Sequence, residues 1–150
     1  MHDVPAGRHR DARLTPMLDA ASRQNVWRRI EGEERPAWSD VTSTGTFQIQ
    51  PGQTFDRHHH DCDEYWFIFE GRAVIEIDEE RYTVEPGDIV CTEIGREHDF
   101  LQVLEPVRGF WFEAVLKPGG RAGHLHRSPE RAAGHRVLGP DEQLASQPAP

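Results

Sequence analysis

Short stretches in which apolar and polar residues alternate fill the middle of the chain, and they predict β-strands. Between residues 42 and 116, β-branched and aromatic residues recur, and each stretch ends at a glycine, a proline or acidic residues. Turn signals at such short intervals are typical of antiparallel β-structure that is closed or packed as a sandwich. The predicted strands are Glu64–Phe69, Ala73–Asp78, Arg81–Glu85, Asp88–Ile94, Asp99–Glu105 and Val107–Leu116. We therefore expect an all-β antiparallel barrel with little helix.

The two ends of the chain differ from this middle part. Residues 1–41 form an N-terminal arm in which Val26–Ile30 predicts one strand, and Leu14–Gln24 predicts a short helix or a flexible arm. Residues 117–150 are rich in proline, glycine and arginine, which predicts an irregular C-terminal extension. The expected organisation is thus an arm, a β-barrel over residues 42–116, and an extension.

Composition narrows the class of protein. A chain of 150 residues is large enough for one domain with a real core. The net charge of −9 argues against a nucleic-acid partner, since phosphate binding needs a basic surface. No apolar run approaches a membrane span, and the N-terminus lacks the apolar core of a secretory signal, so we expect a cytoplasmic protein that does not bind membranes. Cys62 and Cys91 are too few for a disulfide framework.

A histidine-rich segment carries the most informative pattern. His58 and His60 are two residues apart, so on an extended chain both side chains leave the same face, while His59 points to the other. Glu64 follows a three-residue corner and opens a strand, so its carboxylate can return over the two imidazoles. His98 begins another apolar stretch. Three imidazoles and one carboxylate suit a borderline divalent metal and leave positions open for water or substrate.

The glycines around these residues complete two motifs that resemble those of the cupin superfamily. The first, G-x5-H-x-H-x3-E-x6-G, is matched at Gly52, His58, His60, Glu64 and Gly71. The second, G-x5-P-x-G-x2-H-x3-N, is matched at Gly87, Gly95 and His98, with Glu93 in place of the proline and Gln102 in place of the asparagine. The resemblance implies a small cupin-type antiparallel β-barrel, or jelly roll, that holds its metal inside. Gly71 is expected to end the strand of Glu64.

The site leads us to expect a metal-dependent enzyme acting on a small, oxygen-rich substrate that chelates the metal. Iron(II) or manganese(II) is favoured, and nickel, zinc or copper would also fit the donor set. Dioxygenase chemistry is the first expectation, and a non-oxidative isomerase, decarboxylase, lyase or cyclase is the alternative. A non-catalytic module that binds a sugar or small metabolite is a further alternative.

Strand alternation also predicts the residues around a substrate. If Glu64 points inward, Trp66 and Ile68 do so too, and Phe100 accompanies His98. In the last strand, one set of alternate residues must face inward, and we favour Phe110, Phe112 and Ala114 over Trp111, Glu113 and Val115. The expected pocket is therefore mostly apolar with a few polar groups, which suits a small organic ligand that packs on its aromatic walls.

Catalytic roles are expected for three residues. Glu64 is primarily a metal ligand, and Gln102 would orient a ligand or hydrogen-bond a metal-bound water. Tyr65 is a candidate acid or base, and Glu93 and Glu113 lie in regions that could supply another.

The outer face of the Glu64 strand and the C-terminal region are the two parts of the chain for which we predict contacts with a partner or a substrate. Tyr65, Phe67 and Phe69 share the outer face of their strand and need a cover, for which we expect a second copy of the chain in a homodimer rather than the N-terminal arm. The C-terminal region contains another H-x-H pair, which we interpret as part of an exposed tail rather than a second metal site. Its arginines, Arg121 and Arg127, are candidates for holding an anionic substrate at the barrel mouth.

Overall fold

Nearly all the regular structure of the protein is β-strand. The structure is a computed structural model, and it describes residues 26–144. The strands are β1 (Val26–Glu31), β2 (Ser43–Ile49), β3 (Thr54–Phe55), β4 (Glu64–Ile77), β5 (Glu80–Val84), β6 (Ile89–Thr92), β7 (His98–Glu113) and β8 (His135–Arg136), with one short helix, α1 (Pro129–Ala132), and a 3-10 turn at Gly32–Glu34. The predicted strand at Val26–Ile30 is confirmed, whereas the proposed helix at Leu14–Gln24 lies outside the described residues.

The strands form one large sheet and one small one. In the large sheet the order is β1, β2, β7, β4, β5, with β6 paired to the other end of β4, and in the small sheet β3 pairs with β8. Every pairing between these strands is antiparallel. The predicted all-β antiparallel architecture is therefore confirmed. Within residues 26–144 there is no helix with the length and apolar character needed to cross a membrane.

The two longest strands, β4 and β7, each join two of the predicted strands into one. Gly71 does not end the strand of Glu64, because β4 continues through it to Ile77. The backbone of Gly71 has φ +80°, and a Cβ atom there would lie 2.0 Å from the carbonyl oxygen of Pro106 in β7. Only glycine permits this combination of left-handed backbone and close strand contact.

Irregular pairing changes which side chains of β7 face inward. Ile75 of β4 pairs with Phe100, yet the next residue, Val74, pairs with Gln102, so Leu101 is an extra residue in β7. An extra residue of this kind is a β-bulge, and it shifts the alternation of faces by one. Further register shifts follow between Ala73 and Ile68 of β4, and beyond them the buried positions of β7 are Val107, Gly109 and Glu113.

The core lies between the strands and receives a side chain from the C-terminal segment. Phe47, Ile49, Trp66 and Phe100 are packed there, and Val137 is fully buried among them. Two backbone hydrogen bonds of 2.8 Å hold Val137 in place, one from its N–H to the Gln53 carbonyl and one to its own carbonyl from Gly52. Residues after 116 therefore complete the hydrophobic core.

Candidate metal centre

Two of the histidines lie in an extended segment that crosses the start of β7. His58 and His98 exchange backbone hydrogen bonds, of 3.3 Å from His58 N and 2.8 Å from His98 N. The segment is not a regular strand, but the alternation holds, because the side chains of His58 and His60 are both 2% exposed. His59 pairs through its backbone with Leu125 on the opposite side.

The corner between His60 and Glu64 is fixed by backbone groups of the following loop. The N–H of Ile94 donates to the Asp63 carboxylate at 2.9 Å, and the N–H of Gly95 donates to the His60 carbonyl at 2.9 Å. Glu64 is the first residue of β4 and is 5% exposed. The corner thus turns the Glu64 carboxylate toward the histidines, as predicted.

The four side chains converge. Glu64 Oε2 lies 2.8 Å from His98 Nε2 and 3.6 Å from His60 Nε2. One ligand atom from each of His58, His60, Glu64 and His98 lies within 4.8 Å of the others. His60 Nε2, His98 Nε2 and Glu64 Oε2 are buried without a hydrogen bond of normal geometry. Buried polar atoms without partners are costly unless an ion binds them.

The other nitrogen of each imidazole faces a backbone carbonyl. Nδ1 lies 2.8 Å from the Asp56 oxygen in His58, 3.2 Å from the Gly123 oxygen in His60, and 3.1 Å from the Arg96 oxygen in His98. A carbonyl only accepts, so each Nδ1 carries a hydrogen, and Nε2 is the nitrogen left to bind an ion. Such outer contacts orient metal-binding imidazoles. The residues therefore fit a divalent metal.

The pKa values of the four candidate ligands are shifted by their burial and by the contacts of the Glu64 carboxylate with the imidazoles. Burial lowers the pKa of His58, and neighbouring imidazoles lower it further. Burial likewise lowers the pKa of His60, to about 4. Burial alone would lower the pKa of His98, but the interaction with the Glu64 carboxylate outweighs burial, so the pKa is raised. Burial would raise the pKa of Glu64, and the imidazoles of His98 and His60 reverse the shift and lower it.

A cavity of about 560 Å³ opens beside this cluster. Its walls combine aromatic rings, among them Trp66, Phe100 and Trp111, with charged side chains such as Arg29 and Glu31. The rings of Trp66 and Phe100 stack with centroids 4.9 Å apart. Glu113 adds a carboxylate to the wall. The cavity is of a size that accepts a small organic molecule next to the metal ligands.

Comparison with known proteins agrees with this fold and site. Residues 45–113 match the family model described as the cupin domain. The chain contains a cupin domain. The matched range extends from β2 to the end of β7 and includes His58, His60, Glu64 and His98, the proposed metal ligands.

The chain is similar to proteins of two bacteria. An uncharacterized protein of Sinorhizobium fredii is 44% identical over 71 residues, which are 47% of this chain and 33% of the relative. An uncharacterized protein of Streptomyces coelicolor is 32% identical over 66 residues, which are 44% of this chain and 63% of the relative. The chain thus spans from one third to just under two thirds of these curated relatives.

Solved structures of the same fold include an enzyme, the DMSP lyase DddQ from Ruegeria pomeroyi. Its TM-score with this chain is 0.52 at 23% identity, and the match covers 68% of this chain and 54% of the lyase. At this identity the likeness concerns the fold alone.

Four residues expected around the site of the cupin domain lie elsewhere. Because of the register shifts between β4 and β7, Phe110 and Phe112 face outward with Tyr65, and Trp111 and Glu113 face the cavity. The Tyr65 ring stacks on Phe112 with centroids 4.7 Å apart, so it cannot act as an acid or base in the cavity. Ile68 is buried in the core and is not among the described residues that line the cavity. The predictions for these four side chains are therefore wrong.

Gln102 is buried, but its amide serves the C-terminal segment. Nε2 donates to the Gly139 carbonyl at 2.8 Å and also to the Glu142 carbonyl. Both partners are backbone groups far along the chain. The amide donors predicted to orient a ligand or a metal-bound water are thus engaged in holding residues 139–142.

The C-terminal segment, residues 117–144, is not an exposed tail, because it folds over the cavity mouth. His124 lines the cavity, stacked on His58. Arg121 pairs with Asp61 at 3.0 Å, and Arg127 donates to the Gly95 carbonyl at 2.9 Å, so both arginines fasten the segment to the barrel. The H-x-H pattern was the signal that pointed here, but its contacts are with residues about seventy positions away in the sequence.

Proposed function

We propose that the protein is a metal-dependent enzyme whose metal is held by His58, His60, Glu64 and His98. The observation that carries the proposal is the convergence of three buried, unpartnered ligand atoms, with each imidazole oriented through its Nδ1 by a backbone carbonyl. Apart from the ion pairs of Glu64 with His98 and His60, no described group engages these ligand atoms, which supports a bound ion. Iron(II) or manganese(II) is favoured, and nickel, zinc and copper suit the same donors.

The substrate class follows from the cavity beside the ligands. A small molecule that carries two neighbouring oxygens, such as an enediol, a hydroxy-ketone or a catechol-like group, would place its oxygens at the cluster. Its apolar body would pack on Trp66, Phe100 and Trp111. The bound metal would act as a Lewis acid and template for the substrate oxygens, and with iron(II) it would support dioxygenation.

The chain's own residues would exclude water and hold the geometry. The aromatic walls remove solvent from around the ligands, which strengthens electrostatic interactions there. Glu64 supplies one negative charge, which offsets part of the charge of a divalent ion. The backbone carbonyls hold the imidazole rings in the orientation that binding requires.

A second candidate is non-oxidative chemistry, such as isomerisation or lyase chemistry, and the position of Glu113 favours it. This carboxylate is 6% exposed, lines the cavity, and has Oε1 3.8 Å from His60 Nδ1. Beside a hydroxy-ketone substrate, the Glu113 carboxylate would be placed to accept a proton from carbon and return it to the neighbouring carbon.

Metal content tests the proposal first. Untagged protein purified anaerobically without chelator is expected to hold about one metal per chain. His58→Ala should lose it, and His59→Ala, which changes the neighbouring imidazole on the opposite face, should retain it. No metal in the wild type, or equal content in the wild type and His58→Ala, contradicts the metal centre.

Reaction class is tested next with the metal-loaded protein. Oxygen consumption with iron(II) and an enediol or catechol substrate supports dioxygenation. Exchange of substrate C–H for deuterium in D₂O under anaerobic conditions, lost in Glu113→Gln at unchanged metal content, supports the second candidate. Metal binding without either reaction across a substrate series indicates a binding module instead.

A further inference from the structure

Asp56, at the rim of the cavity, contacts two histidines of the C-terminal segment. His124 Nδ1 lies 3.0 Å from Asp56 Oδ2 and 3.2 Å from Oδ1. His126 Nε2 lies 2.6 Å from the same Oδ2 atom. Two imidazole nitrogens from one H-x-H sequence are therefore directed at one carboxylate oxygen.

We propose that Asp56, His124 and His126 form a second divalent-metal site, suited to a borderline ion such as zinc(II). Zinc binds imidazole nitrogen and carboxylate oxygen at about 2.0–2.2 Å. Both imidazole nitrogens lie within 3.0 Å of Asp56 Oδ2, so a small rotation of the two rings and withdrawal of the carboxylate would bring one atom of each side chain to a common ion, with each ring carrying its hydrogen on the other nitrogen. Water would complete the coordination, because the site lies at the surface.

His126, rather than His58, completes this set with Asp56 and His124. His58 also lies near Asp56, with Nδ1 3.7 Å from Oδ1. Its ring, however, is parallel to that of His124, at a centroid distance of 3.6 Å. Lone pairs in two parallel planes do not meet at one ion, and an ion at about 2.1 Å from both nitrogens would lie well outside both ring planes. The His58 Nδ1 hydrogen is also directed to the Asp56 carbonyl.

The backbone holds the two histidines in place. Leu125, between them, exchanges two hydrogen bonds with His59, of 2.9 Å and 3.0 Å. Residues on either side of an extended position share a face, so this bridge directs His124 and His126 to the same side. A site whose ligands are positioned by fixed backbone loses little entropy on binding an ion.

The second site differs from the first in access to solvent. The side chains of Asp56, His124 and His126 are 27%, 50% and 23% exposed, whereas those of His58 and His60 are 2% exposed. An ion from solution can therefore reach the second site without entering the cavity. Bound there, it would cross-link the C-terminal segment to the chain two residues before the first metal ligand.

A metal titration tests this inference, with zinc(II) as the probe. Full-length, untagged, metal-free protein is titrated calorimetrically, and bound zinc is counted after gel filtration. The wild type is expected to bind two ions per chain, the double variant His124→Ala/His126→Ala one, and the control His59→Ala two. Equal stoichiometry in the wild type and the double variant overturns the proposal. If the double variant does not fold, His126→Gln serves instead, and an unchanged affinity for the second ion overturns the proposal.

The outcome is separable from that of the proposed function. Glu64→Gln should weaken only the buried site, so it should still bind one ion at the rim. If the buried centre does not exist, the wild type binds one ion that the double variant loses. If the rim site does not exist, the wild type binds one ion that the double variant retains.

Discussion

The imidazole ring of His124 lies parallel to that of His58, with the ring centroids 3.6 Å apart and the planes 4° apart. His124 belongs to the C-terminal segment and is half exposed, whereas His58 is a buried candidate ligand. One face of a proposed metal ligand is therefore covered by a residue outside the matched cupin domain.

Removal of this ring should speed loss of metal from the buried centre. Aromatic stacking contributes about 0.5–1.5 kcal/mol, which corresponds to roughly a 2- to 10-fold faster release in His124→Ala. Protein loaded with one equivalent of manganese(II) is mixed with a chromogenic chelator, and the release rate is followed by absorbance. His124→Phe retains a stacking ring and should stay near the wild-type rate. Fast release in both variants would assign the effect to the Asp56 contact, and unchanged release in both would rule out the cover.

The affinity of the buried centre for metal should fall with decreasing pH. The slope of log affinity against pH should be near one, because one proton is released for each ion bound. His60 has a pKa lowered to about 4, and the pKa of His58 is also lowered, so both are neutral near pH 7. His98 has a raised pKa, so below that pKa an incoming ion must displace its proton. The affinity should therefore drop about tenfold per pH unit in this range. Without the second site, in His124→Ala/His126→Ala, calorimetry at several pH values measures the slope directly.

The Glu64→Gln change provides the control for this pH dependence. A neutral amide no longer raises the pKa of His98, so the slope should flatten toward pH 7 while the affinity falls overall. A slope near three in the wild type would show instead that all three imidazoles release protons, and the assigned protonation states would be wrong.

Gly71 should tolerate no side chain. In Gly71→Ala the new Cβ would meet the Pro106 carbonyl oxygen at 2.0 Å, and the backbone would remain left-handed. We expect a loss of about 3 kcal/mol or more in the free energy of unfolding, measured by urea denaturation. Gly52→Ala is the matched control, since its φ is +82° with no atom within 4 Å of the added Cβ, and it should cost about 1–2 kcal/mol. Equal losses in the two variants would show that strand contact at Gly71 is unimportant.

Gln102 should act as an anchor for residues 139–142. Gln102→Leu removes the donors to the Gly139 and Glu142 carbonyls and should cost about 1–3 kcal/mol of unfolding free energy. Limited proteolysis should then cut the C-terminal segment sooner, whereas the exposed Gln143→Leu should behave as the wild type. Retained protection of the segment in Gln102→Leu would count against the anchor.

The homodimer expected from the sequence remains a prediction. Phe69 and Phe110 are 40% and 49% exposed on the outer face, with ring centroids 5.0 Å apart. Light scattering after size-exclusion chromatography should give twice the chain mass for the wild type. Phe110→Asp should shift the protein to a monomer while leaving its metal content unchanged. A wild-type monomer would contradict the prediction.

The ligand set could be predicted because local rules decide it. His58 and His60 share a face by alternation, and the spacing to Glu64 and His98 resembles known cupin motifs. The inward face of the last strand could not be predicted, since Phe110, Trp111 and Phe112 are all aromatic and neither choice of face looks unfavourable. Several register shifts between β4 and β7 determine it, and no polar or glycine residue marks the one at Leu101.

The contribution of the C-terminal segment to the core also could not be predicted from local sequence patterns. Val137 and Leu138 are a short apolar pair in a region rich in glycine and arginine, and the backbone partners of Val137 are Gly52 and Gln53. Contacts over such sequence distances have no local periodicity. The same holds for Asp56, whose two histidine partners follow it by about seventy residues.

The fully buried position of Val137 also has a consequence for biosynthesis. This residue is made 24 positions after the end of β7 at Glu113. At translation rates of 5–20 residues per second, the nascent barrel stays without it for about 1 to 5 s. During that interval an apolar gap is open to chaperones and to other nascent chains. A premature stop codon between the end of β7 and position 137 would make the gap permanent, although every candidate ligand of the buried metal would already be encoded.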